Sequence, residues 1–122
     1  MSDGMRRELV YLSSYATNRY FIPNWGNCMI ASPCEIRTSD SHSLLDSDGR
    51  RINYAKDIVI GGHIWIGMGC LILKGAYIPE DCVVAAKSVV CSMKNVNKGS
   101  LLGGTPARIL KENINWNHKR IK

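Results

Sequence analysis

His42 closes the run Ser-Asp-Ser-His, at the point where a regular aliphatic pattern gives way to turn formers. An imidazole of near-neutral proton affinity can take a proton from an alcohol, a poor nucleophile at neutral pH, and return one to a leaving group. The competing reading is a histidine on a surface loop. Asp40, two residues earlier, has three roles open to it: orienting the imidazole, binding an acceptor, or serving the turn. Trp65 stands one place before an inward aliphatic, so its indole points outward, as at a partner surface or a ligand. Its N–H is a donor that a developing oxyanion could use. Arg108 and Lys111 are three apart and share a face if their segment is helical, where they are either anion ligands or solvated charges.

The element that must position these groups is written in one interval. From Ile60 onward a branched aliphatic returns at every sixth residue: Ile60, Ile66, Ile72, Ile78, Val84, Val90. Ile30 and Ile36 keep the same phase upstream. A short period of this kind belongs to a solenoid, and a six-residue period to a parallel β-helix whose repeat is one short strand and a bend. The residues two places earlier (Ile58, Ile64, Cys70, Ala76, Cys82, Ser88) share the inward face and become small after the second strand, which suits a narrow prism. Gly61, Gly62, Gly67, Gly69, Gly75 and Pro79 fall at the bends. Two or three ordinary buried strands would not hold a constant phase.

At 122 residues the chain is one domain, and an all-β solenoid this short leaves open ends that oligomerisation would cover. Four of the five cysteines (Cys28, Cys34, Cys70, Cys82) fall on the small inward position and no CxxC spacing occurs, so they read as core filler. The net charge of +6 is spread along the chain, with one concentration from Arg108 to Lys122. Without interleaved aromatics this favours an anionic small molecule over nucleic acid. There is no apolar run of membrane-spanning length and no signal peptide, so the expected compartment is the cytoplasm. His42, His63 and His118 give no tetrahedral set, and no metal is expected.

Along the chain, residues 1–27 form an N-terminal cap, with an amphipathic stretch from Arg6 to Leu12 that reads as a helix or an irregular segment. Residues 28–104 form the β-helix, interrupted by a loop over 43–53. Thr105 followed by Pro106 predicts a helix start, a capping hydroxyl and then proline at the first helical position. The helix would run from Ala107 to about Asn113, and a basic tail would end the 105–122 segment.

The stretches IRTSDSHSLLDSDGRRIN, DIVIGGHIWIG and GGTPARILK, in this order, resemble the hexapeptide-repeat acyltransferases. Within them the likeness is to sugar and polysaccharide O-acetyltransferases near the maltose/galactoside acetyltransferase group, and it covers about Gly26 to Glu112. The resemblance implies a left-handed parallel β-helix, a homotrimer, and acetyl-coenzyme A bound in the groove between subunits. The hand does not follow from the pattern and runs against the usual crossover preference.

By the same resemblance His42 is the catalytic base for direct attack of a saccharide hydroxyl on the thioester, and Trp65 lies in the active-site groove. Met68 matches a position whose backbone N–H contacts the thioester, although the family residue there is small and polar. Ala86 matches a backbone contact to the pantetheine arm. Lys87 stands where relatives carry glycine or asparagine, and either reaches a coenzyme phosphate or is a plain corner lysine. Arg108 and Lys111 match basic residues aimed at the coenzyme's phosphates. The cap is shorter than the family's coils or helical segment before the histidine loop, and Tyr11 to Asn24 offers no acceptor pattern. Two other readings stand beside the first: N-acetylation of an amino sugar nucleotide, and a catalytically silent trimeric scaffold.

Overall fold

The computed structural model describes residues 10–12 and 28–121. Its elements are all strands: β1 (Val10–Leu12), β2 (Met29–Ile30), β3 (Glu35–Arg37), β4 (Ile58–Ile60), β5 (Trp65–Ile66), β6 (Leu71–Leu73), β7 (Tyr77–Ile78), β8 (Val83–Val84), β9 (Val89–Val90), β10 (Leu101–Gly104) and β11 (Ala107–Lys111). Among the described residues there is no helix, and so none long and apolar enough to cross a membrane.

The parallel pairs β2–β5, β5–β8, β3–β6, β6–β9 and β4–β7 each join strands three apart in order, and β10 adds in parallel beside β8. β4 lies beside β7; β2, β5, β8 and β10 form a second row, and β3, β6 and β9 a third. The chain thus winds round three faces, here called A, B and C in the order just given. Ile60 pairs with Ile78, Ile66 with Val84 and Ile72 with Val90, each pair three hexads apart. All six are fully buried, as are Ile58, Ile64, Cys70 and Cys82, with Ala76 and Ser88 all but buried. The expected inward pair is therefore what fills the prism, and each buried aliphatic contributes about 1.5–3 kcal/mol.

Corners of successive coils stack so closely that side chains are excluded at two of them. A Cβ on Gly61 would lie 2.6 Å from the Glu80 nitrogen, and one on Gly67 would lie 2.7 Å from the Ala86 nitrogen. Left-handed backbone recurs at equivalent bends, at His63 and Asp81 on one edge and at Gly69 and Lys87 on another.

Two expectations are corrected. Arg6 to Leu12 is not a helix where it is described, because Val10–Leu12 is a strand antiparallel to β4. The rest of the expected cap, including Arg6 to Leu9 and most of Tyr11 to Asn24, lies outside the described residues, as does Lys122.

The predicted C-terminal helix is also absent: Ala107–Lys111 is a strand that doubles back antiparallel onto β10. Leu101–Gly104 already continues face B beside β8. Gly104, at φ 110°, then supplies the reversal, and Thr105-Pro106 is the hairpin turn rather than a helix start. A period of two follows, with Ala107 buried, Arg108 exposed and Ile109 packed against the core.

Candidate active site

The three edges of the prism carry different parts of the candidate site. The histidine loop leaves after β3 and returns at β4, on the edge between faces C and A. Its neck is closed by the Lys56 N–H on the Thr38 carbonyl at 3.0 Å. Inside the loop the Ile52 N–H meets the Leu44 carbonyl at 2.8 Å, Leu45 bridges Arg51, and the Asp46 carboxylate caps the tip by accepting the Asp48 and Arg50 N–H groups. His42 is exposed, and its imidazole makes no hydrogen bond among the described residues.

The loop is organised by Asn53, a residue only 7% exposed. Its Nδ2 donates to the His42 carbonyl at 2.8 Å and to Asp40 Oδ2 at 2.9 Å. Its Oδ1 accepts from the Leu44 N–H at 2.7 Å and from Arg51 Nε at 3.3 Å. Asp40 Oδ2 also accepts from Lys74 Nζ at 2.6 Å. The lysine's hydrogen bond, then that of Asn53, hold this carboxyl below its ordinary range. Asp40 is thus engaged by Asn53 and Lys74 and makes no hydrogen bond to the His42 ring.

Face B carries three of the six remaining candidates, Trp65, Arg108 and Lys111. Trp65 lies opposite Val83, Val83 opposite Leu101, and Leu101 opposite Lys111, so the four stand in one row across the outer surface. Trp65 is 38% exposed, and its burial pattern with Ile66 confirms the outward indole. Arg108 pairs with Gly103 on the same outer side. On a regular strand two residues three apart would face opposite ways. The bulge between Leu101 and Leu102 absorbs one residue and returns Lys111 to the side of Arg108. The two basic groups share a face after all, by a route different from the helical one.

The edge between faces B and C carries Met68, Ala86 and Lys87, all exposed. The Met68 carbonyl accepts the Lys87 N–H at 2.9 Å, whereas the N–H groups of Met68 and Ala86 make no hydrogen bond among the described residues. They are donors available to a ligand lying along that edge.

The edge between A and B holds a cluster that the sequence reading set aside. It brings together His63 and His118, which were considered from the sequence only as part of a metal set. Trp116, 8% exposed, stacks on His63 with ring centroids 4.2 Å apart and meets His118 edge-on at 4.8 Å. It also touches Trp65 at 5.9 Å, and its indole Nε1–H donates to the His63 carbonyl at 2.9 Å. His63 Nδ1 lies 2.9 Å from Asp81 Oδ1. Among the described residues no three His, Cys, Asp or Glu converge to hold a metal ion.

Asn53, Lys74 and Trp116 were missed. Asn53 ends the quoted loop motif and Lys74 precedes a corner glycine, neither with any periodic signal. A tryptophan in the polar tail Asn-Ile-Asn-Trp-Asn-His was the one visible hint.

A prism of stacked hexads with an exposed histidine loop defines a hexapeptide-repeat protein, and known proteins narrow the class. No protein-family model matches the sequence. The chain is 43% identical over 94 residues to a polysialic acid O-acetyltransferase of Neisseria meningitidis, covering 76% of this chain and 43% of that one. Among solved structures it is similar to a polySia-specific acetyltransferase at TM-score 0.70 and 37% identity, over 76% of this chain and 43% of the other. It is also similar to a hexapeptide-repeat-containing acetyltransferase from Vibrio cholerae, at TM-score 0.53 and 38% identity, over 65% and 44% of the two chains. The chain spans less than half the length of each. It fits the hexapeptide-repeat O-acetyltransferase family.

Proposed function

We propose that the protein transfers acetyl from acetyl-coenzyme A to a hydroxyl of a saccharide, as a cytoplasmic homotrimer of left-handed β-helices. The names of its relatives, two of them polysialic acid acetyltransferases, support a saccharide acceptor. His42 takes the proton of the acceptor hydroxyl as that oxygen closes on the thioester carbonyl, and returns it to the departing sulfur. The Trp65 indole N–H and the corner N–H groups of Met68 and Ala86 are the donors offered to the donor substrate and to charge developing on its carbonyl oxygen. Arg108 and Lys111, with Lys87 at the neighbouring edge, supply positive charge for the coenzyme's phosphates. Holding both substrates in one groove removes the need for an acyl-enzyme.

One observation carries the reading. The outward row of face B unites Trp65 with Lys111, while the His42 loop leaves the opposite edge of the same prism. A complete site then requires His42 of one copy to meet face B of the next, which is what a trimeric groove would supply. Of the roles open to Asp40, the anchoring of the loop is the one its bonds to Asn53 and Lys74 support.

Thiol release from acetyl-coenzyme A with a panel of saccharides tests the activity. His42→Ala is expected to lower kcat by about 10²–10⁴-fold, and an unchanged rate would remove the proposed base. Coenzyme A should raise the melting temperature, and Arg108→Ala with Lys111→Ala should shrink that shift. Sedimentation should give three copies. A trimer that neither binds coenzyme A nor releases thiol would instead be the silent scaffold.

A further inference from the structure

We infer that Asn53 and Lys74 are positioning residues that hold His42 in place from behind, one through the histidine's main chain and the other through Asp40. The inference rests on the proposed role of His42 as base. Within the described residues of one copy the imidazole takes no hydrogen bond, so the contacts that set it there run through its backbone. A general base has to be set within a fraction of an ångström of its proton.

Asn53 does this by gripping three alternate residues. It bonds the side chain of Asp40, the carbonyl of His42 and the N–H of Leu44, which brackets the histidine on both sides. With Arg51 on Oδ1 as well, both amide protons and the amide oxygen are engaged. A buried amide satisfied in this way specifies one loop conformation, because every alternative leaves a polar atom unpaired.

Lys74 ties that bracket to the rigid part of the molecule. It directly follows Leu73, which pairs with Arg37 in the face C ladder. Its ammonium reaches across the edge to the carboxylate that Asn53 also holds. The loop is thereby fastened to the following coil rather than only to its own neck.

The test compares folded variants by kcat and KM and by the His42 ring proton in NMR, assigned by its loss in His42→Ala among the three histidines. Asn53→Asp keeps the shape but turns a donating NH2 into an oxygen facing a carbonyl and a carboxylate. We expect kcat to fall at least tenfold with KM for acetyl-coenzyme A within twofold, and the His42 resonance to shift or broaden while those of His63 and His118 stay. Lys74→Met should lower kcat severalfold and Lys74→Arg should restore it, whereas Asp48→Ala at the loop tip should leave it alone. Unchanged kcat and an unmoved His42 resonance in Asn53→Asp and Lys74→Met would overturn the inference. If His42→Ala itself kept the full rate, the base would be wrong, yet the resonance would still report whether Asn53 and Lys74 hold the ring.

Discussion

The indole of Trp116 lies flat on the imidazole of His63, its plane 8° from parallel, and bonds the carbonyl of the same residue. Fifty-three positions of chain separate them. The tail returns to this edge because it continues the ladder of stacked corners: the Gly99 N–H meets the Glu80 carbonyl and the Ile114 N–H meets the Gly99 carbonyl. Trp116 then closes over His63 and abuts Trp65, so the tail supports a residue of the proposed groove.

Trp116→Ala should therefore destabilise the protein by about 3 kcal/mol, the range for removing a large buried aromatic. Trp116→Phe keeps a ring over His63 but loses the N–H donor, and should cost about 1 kcal/mol. Urea unfolding of the two variants against the parent checks both, and equal stability of all three would mean the tail contributes nothing.

Acid should loosen the histidine loop through Asp40. Its carboxyl is held below the ordinary value of 3.8 by Lys74 and Asn53, so the folded form binds a proton less readily than the unfolded chain. The stability this provides is complete above that ordinary value and is lost as pH falls through the folded value. Because the side chain is 45% exposed, the effect is small, under about 1 kcal/mol. Lys74→Met should weaken this acid dependence, measured as melting temperature between pH 2 and 6.

Burial, as the leading cause, pushes the thiols of Cys70 and Cys82 above their ordinary range. Their thiolate fraction at pH 8 is correspondingly low, and both lie inside the prism. Alkylation followed by peptide mapping should spare these two until denaturant is added. Cys91, which is partly exposed, should be labelled in the folded protein.

The Thr38 hydroxyl at the loop neck is buried without a hydrogen-bond partner among the described residues. Thr38→Val replaces it with a methyl of similar size and should raise stability by about 1 kcal/mol in thermal unfolding. A loss of stability would indicate that the hydroxyl is satisfied in solution.

The sequence made the prism legible because a period of six is the direct imprint of an inward face that recurs on every side, and Ile60, Ile66, Ile72, Ile78, Val84 and Val90 all proved buried. The outward setting of Trp65 followed from the same phase. The hairpin of β10 and β11 was misread because Thr-Pro begins helices and also fills turns. The preceding pair Gly103-Gly104 was the signal for reversal. Asn53 escaped because three of its partners, Asp40, His42 and Leu44, lie nine to thirteen residues back along an aperiodic loop. The contacts of Lys74 with Asp40 and of Trp116 with His63 reach across coils, at separations no local pattern records.

The reversed strand β11 has a consequence for the fate of the chain in a crowded solution. Parallel coils are templates that invite another molecule to add rung upon rung, the route to fibres. On face B the outermost described strand, β11, runs antiparallel to its neighbour and carries Arg108 and Lys111 outward. Outward positive charge on that edge opposes the addition of a further strand, so residues proposed to grip a coenzyme would also disfavour edge-to-edge association.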